Sequence, residues 1–159
     1  MRKVSEPLAS RGQTGRRMYA LAAMSGDLQS IYVHDKGRPV TLASLPFPRF
    51  YNFVRRIPYR RDDAPVEVVA RPRYLVERAS GGLDCKKKAI LLGAWLNANG
   101  YRPMKEWRFV AMSSKPSGSI HHVFPQVNMS GEWKNADATY RYMRLLQPKR
   151  VTAMEILKP

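Results

Sequence analysis

Asp84-Cys85-Lys86-Lys87-Lys88-Ala89-Ile90-Leu91-Leu92-Gly93-Ala94-Trp95-Leu96-Asn97-Ala98-Asn99-Gly100 reads as one helix. Asp84 has the short acceptor side chain favoured at an N-cap, and Gly100 suits the left-handed residue that closes a helix. Cys85, Ala89, Leu92 and Leu96 are spaced by four, three and four, so one stripe faces a core. The helix opens on the chain's one cysteine. A helix N-terminus carries unpaired N–H groups and roughly +0.5 elementary charge, which stabilises a thiolate over a thiol. Lys86, Lys87 and Lys88 follow at once. Cations in a first turn oppose the helix dipole, so helix stability does not account for them. They either tune the thiol or face an acidic partner.

Downstream of this helix the chain reads as strand. Trp107–Met112 is rich in β-formers. Ile120–Asn128 and Glu132–Thr139 flank Met129-Ser130-Gly131 and form a hairpin. Alternation puts His122, Phe124 and Gln126 on one face of the first arm. With the turn near Ser130, Asp137 comes close to His122 across the ladder. An imidazole beside a carboxylate, facing a helix start that carries a thiol, is a Cys-His-Asp set. His121 and His122 point to opposite faces, so they do not share a metal, and neither a metal nor a cofactor is expected. Val151–Leu157 is a last strand or a short helix.

Upstream, helical patterns dominate. Thr14–Ile31 is weakly periodic and interrupted by Gly26, which allows two pieces. His34–Pro39 reads as loop, and His34 receives no role. Phe47, Phe50, Tyr51 and Val54 form one helical face, ended by Pro58. Arg61–Ala70 reads as loop passing into an extended piece, and Pro72 starts a further helix. Helices first and strands after argue α+β, with the thiol helix packed on an antiparallel sheet. Residues 1–13 read as a basic arm and residues 14–159 as a single domain.

The chain has 159 residues and a formal net charge of +16. Its 44% apolar and 25% charged residues describe a globular chain rather than a disordered one. One cysteine excludes an internal disulfide scaffold. Met1–Arg17 lacks the apolar core of a signal peptide, and no run is long enough to span a bilayer, so a cytoplasmic or virion-associated protein is expected. The basic excess is not a tail. Residues 1–61 hold 12 basic and 3 acidic side chains, and residues 84–159 hold 13 and 5. Such a surface implies an acidic partner, an assembly or nucleic acid.

Three blocks together resemble the transglutaminase-like superfamily of cysteine enzymes. They are Gly82-Leu83-Asp84-Cys85-Lys86-Lys87-Lys88-Ala89, His122-Val123-Phe124-Pro125-Gln126-Val127 and Trp133-Lys134-Asn135-Ala136-Asp137-Ala138-Thr139. The stretch Phe53–Asp62, with Glu67 and Pro72, is similar to the lead-in of small bacterial and phage members. Leu83 stands where the family usually has Gly, and Lys86 and Lys87 stand where acidic residues are common. The resemblance covers roughly residues 45–140. It implies a papain-like core with Cys85 as nucleophile, His122 as base and then acid, and Asp137 as its orienting group. It also implies an oxyanion donor at the Cys85 backbone N–H, with Tyr59 or Tyr74 as candidates for a second. The implied reaction is acyl transfer on a peptide or protein amide through a thioester, with hydrolysis preferred over crosslinking. The alternative is a catalytically silent module of the same fold, with a structural role, as in a phage particle, or a nucleic-acid-binding one. Arg49, Arg55, Arg56, Arg60 and Arg61 would then form the contact patch.

Overall fold

A computed structural model describes residues 11–62 and 69–159. Residues 1–10 of the expected arm and residues 63–68 of the expected loop, Glu67 among them, lie outside the described residues. Helix α1 runs Arg11–Ala22, so the last three residues assigned to the arm are helical. A 3₁₀ turn at Ser25–Gln29 follows, and this is the two-piece reading of Thr14–Ile31. Strands β1 (Tyr32–Asp35) and β2 (Arg38–Thr41) pair antiparallel, where the sequence suggested only a loop. Gly37 and Pro39 look like breakers, but Lys36 (φ 51°) and Gly37 (φ 77°) make the two-residue left-handed turn that hairpins use. Pro39 is tolerated because the sheet has two strands and both are edges.

Helix α2 (Phe47–Arg56) buries Phe50, Tyr51 and Val54, the expected stripe. It ends at Ile57, whose backbone is extended as the residue before Pro58 requires. Helix α3 (Pro72–Glu77) begins on its proline. Helix α4 (Cys85–Ala98) is capped by Asp84, whose carboxylate accepts from the Lys87 N–H at 2.9 Å. Gly100 is left-handed at φ 82°. The single buried stripe expected for α4 is too narrow. Lys88 and every residue from Ala89 to Leu96 are buried as well. The reason is position: α1, α2, α3, β3 (Trp107–Ser113) and β4 (His122–Met129) all pack around α4.

The main sheet adds β5 (Glu132–Asn135) and β6 (Ala153–Ile156) in the order β5-β4-β3-β6, with every pair antiparallel. The architecture is therefore α+β with antiparallel sheets. One sheet face gives Trp107, Phe109, Ala111 and Val123 to the main core with α1 and α4. The other gives Val110, Met112 and Phe124 to a small second cluster. Tyr19 of α1 fastens the chain's end to the sheet, because its hydroxyl donates to the Leu157 carbonyl at 3.0 Å and accepts from the Phe109 N–H at 2.8 Å. Among the described residues no helix is long and apolar enough to cross a membrane.

Gly93 sets the distance between α4 and the sheet. A Cβ there would stand 2.8 Å from the Phe109 ring and 3.0 Å from the Trp107 ring, both fully buried. We expect Gly93→Val to destabilise the fold by about 2 kcal/mol or more, since overpacking outweighs the roughly 0.4 kcal/mol by which Val exceeds Gly in helix propensity. Chemical denaturation measures it, and an unchanged or raised midpoint would contradict this packing.

Candidate active site

The turn into α4 is held before the thiol is reached. Gly82 has φ 87°, and a Cβ on it would lie 2.7 Å from the Arg60 Cβ. Glycine there lets Leu83 form a parallel bridge with Tyr59. The Leu83 N–H donates to the Pro58 carbonyl at 2.9 Å, and the Arg60 N–H donates to the Leu83 carbonyl at 3.2 Å. Leu83 buries its side chain in the main core. Cys85 then stands at the first position of α4, 8% exposed. Its own N–H has no acceptor within the helix.

His122 opens β4 and is buried, while His121 is exposed near Ser114 and Ser119. The His122 Nε2 and Asp137 Oδ2 are 2.6 Å apart. An ionised carboxylate only accepts, so Nε2 carries a proton, and Nδ1 is left for the hydrogen bond with Cys85. The register differs from the expected one. Ser130 and Gly131, at φ 54° and 89°, form a two-residue turn with Met129 opposite Glu132. Asp137 therefore lies beyond the end of β5, where the chain bends in and the Ala136 N–H still reaches the Pro125 carbonyl at 2.9 Å. The pairing with His122 comes from that bend and not from a ladder position.

Both oxygens of Asp137 are fully engaged. Oδ1 accepts from the Thr139 hydroxyl at 2.6 Å and the Thr139 N–H at 3.0 Å. Oδ2 accepts from His122 and from the Lys149 ammonium, each at 2.6 Å. The Tyr51 hydroxyl donates to the Asp137 carbonyl at 2.6 Å and fixes the backbone. Burial alone would raise this carboxyl, but His122 and Lys149 together hold it down at about 2. Burial opposes a charged His122, yet its hydrogen bonds to Asp137 and Cys85 raise it to about 9. The ring is thus an imidazolium at neutral pH, with a thiol on one side and a carboxylate on the other.

The three lysines after Cys85 have internal duties. Lys86 Nζ is 3.7 Å from Asp84 Oδ2, and Lys87 pairs with Asp62. Lys88 is buried, and its ammonium donates to the carbonyls of Ile57 at 2.5 Å, Thr139 at 2.8 Å and Ala138 at 3.3 Å. Burial pulls it down to about 8. It ties α4 to the end of α2 and to the Asp137–Thr139 segment.

Of the tyrosines suggested as second oxyanion donors, Tyr59 lies beside the site, next to Tyr140, with ring centroids 4.9 Å apart. Tyr74 sits on α3 with the Arg78 guanidinium 4.6 Å above its ring. The five arginines proposed as a contact patch differ in their surroundings. Arg49 pairs with Asp35, and Arg55 donates to the Arg141 carbonyl at 2.5 Å. Arg56, Arg60 and Arg61 are exposed. Arg49 and Arg56 line a groove of about 640 Å³ with Val33, His34 and Phe53, and that groove includes none of Cys85, His122 or Asp137. Among the described residues no three His, Cys, Asp or Glu side chains gather as a metal site requires.

Lys149 and Tyr51 are the site residues that sequence reasoning missed, and Lys88, singled out as tuning the thiol or facing a partner, instead ties backbone carbonyls together. Tyr51 is hidden in an apolar stripe, and Lys149 falls beyond the resemblance. Removing Lys149 leaves Oδ2 to His122 alone. We expect Lys149→Met to raise the His122 titration by about half a unit or more, read by NMR of the ring, while Lys149→Arg stays near the native value. Folding stability should fall by roughly 1–2 kcal/mol between pH 6.5 and 8, because native His122 keeps a proton that the unfolded chain releases. Above about pH 8, Lys88 opposes the trend, since its native form then sheds protons that the unfolded chain holds. His122→Asn should flatten the slope between 6.5 and 8; a slope that survives in that variant would contradict the assignment. Comparison with protein-family models, curated proteins and solved structures finds no match to this chain.

Proposed function

We propose that the chain is a transglutaminase-like cysteine acyl-transfer enzyme, one that hydrolyses a peptide or protein amide through a thioester on Cys85. The observation that supports it is the relay from Cys85 to His122 to Asp137, with the ring held charged between them. A structural histidine would not need its carboxylate tied by Thr139 and Lys149, and that residue's backbone carbonyl clamped by Tyr51, as well.

The chemistry follows from the groups in place. The Cys85 sulfur attacks the amide carbonyl carbon, a C–S bond forms, and the carbonyl oxygen takes the negative charge. In this reading the Cys85 N–H at the start of α4, which has no acceptor within the helix, donates to that oxygen. The proton on His122 Nδ1 passes to the departing nitrogen, the C–N bond breaks, and an amine leaves. Neutral His122 then takes a proton from water as the water attacks the thioester, and the thiol is released with the acid product. Asp137 holds the imidazole in one orientation through both steps. An amine in place of water would give crosslinking by the same steps.

Three results test this reading. Iodoacetamide at pH 6 should label native Cys85 roughly tenfold faster than in His122→Ala, because the hydrogen bond from the His122 ring activates the sulfur. On a cleavable amide, Cys85→Ala should abolish turnover. In addition, kcat/KM should decline as pH rises through about 9, where His122 loses the proton it gives to the leaving group. Equal labelling in native and His122→Ala protein would favour the silent, structural alternative.

A further inference from the structure

Three tyrosines make a ladder that begins at the thiol. The rings of Tyr59 and Tyr140 have centroids 4.9 Å apart with planes tilted by 46°, and those of Tyr140 and Tyr142 are stacked, 5.4 Å apart with planes within 6°. Tyr59 is bridged to Leu83, two residues before Cys85. Tyr140 follows Asp137 by three residues, and burial raises the phenols of both Tyr59 and Tyr140, with the nearby Cys85 adding to the shift. The outer rung is open: Tyr142 is 74% exposed and Tyr59 41%. An aromatic ring so exposed adds little to the core, so folding does not explain it.

The surroundings are cationic. Arg141, between the two stacked tyrosines, turns toward α2 and places its guanidinium 3.5 Å from the Arg56 carbonyl. Arg56, Arg141, Arg60 and Arg61 are all exposed. Flat π-faces bordered by guanidinium groups suit a ligand that is planar in one part and anionic in another.

We propose that the Tyr59–Tyr140–Tyr142 ladder is the platform on which substrate is read, and that it takes a peptide segment with an aromatic side chain beside the reacting amide and a carboxylate a few residues away. This rests on the acyl-transfer reading of Cys85. The aromatic side chain stacks along the ladder and brings its neighbouring carbonyl to the sulfur. The carboxylate meets Arg56 and Arg141. Single-stranded nucleic acid also stacks on tyrosines near arginines. A ladder that starts at a thiol–imidazolium pair serves what that pair acts on, and this favours the peptide.

The test uses the full chain with Cys85→Ala, immobilised and exposed to a pool of acetylated hexapeptides randomised at four central positions. The retained peptides should be enriched in Phe, Tyr or Trp at one position and in Asp or Glu nearby. Adding Tyr142→Ala should cut the aromatic enrichment about fivefold, and Arg141→Gln should cut the acidic enrichment. An absent aromatic preference, or one unchanged by Tyr142→Ala, overturns the proposal. So does an oligothymidine that binds in a Tyr142-dependent way while the peptides do not. The two readings fail separately. Enrichment without any acylation of Cys85 in the native chain would leave a binding platform and remove the enzyme. Acylation without enrichment would remove only the platform.

Discussion

The Asp137 carboxylate has two oxygens, and the fold supplies two donors to each. Thr139 takes one oxygen, and His122 and Lys149 share the other. Each donor belongs to a different part of the chain's second half: β4 brings His122, the bend after β5 brings Thr139, and the stretch before β6 brings Lys149. Tyr51 of α2 clamps the same residue through its carbonyl. A buried carboxylate without these partners would take up a proton, and one buried with a single partner would be costly. The constraint works on folding and chemistry together. Charge balance at Asp137 closes the sheet's end against α4, and it leaves His122 as a charged ring facing Cys85.

Lys88 performs a parallel task one layer deeper. Its ammonium satisfies carbonyls from Ile57, Ala138 and Thr139, backbone groups that neither helix nor sheet provides for at that junction. The basic triplet after Cys85 is therefore less a field aimed outward than a set of fasteners: Lys86 to Asp84, Lys87 to Asp62 and Lys88 to the backbone. The +16 charge of the chain is carried outward by other residues, among them Arg56, Arg60, Arg61 and Arg141. Of these, Arg56, Arg60 and Arg141 flank the tyrosine ladder beside the thiol.

How far the sequence foretold this depends on the range of the interaction that decides each part. Helix α4 was legible because its cap, its periodicity and its closing glycine are local. The hairpin of β4 and β5 was legible because Ser130 and Gly131 mark a turn, though the register was off and Asp137 reaches His122 by a bend that no alternation rule contains. The early hairpin of β1 and β2 was missed because Gly37 and Pro39 speak for loops as well as for tight turns. The full burial of α4 was missed because it depends on how many elements surround the helix. Lys149 and Tyr51 were missed for the same reason, since their partner lies 12 and 86 positions away. The identities of Cys85, His122 and Asp137 were legible as types and order, and their meeting is a tertiary fact.

The central claim is that Cys85 is a nucleophile activated by His122. A non-specific activated ester asks this without any need for substrate recognition. Mixed with p-nitrophenyl acetate near neutral pH, the native chain should release a rapid burst of nitrophenolate close to one equivalent per chain. Mass spectrometry should then place the acetyl group on Cys85, and His122→Ala should lose the burst while remaining folded. A native chain that shows no burst, or one whose burst is the same without His122, would contradict the account.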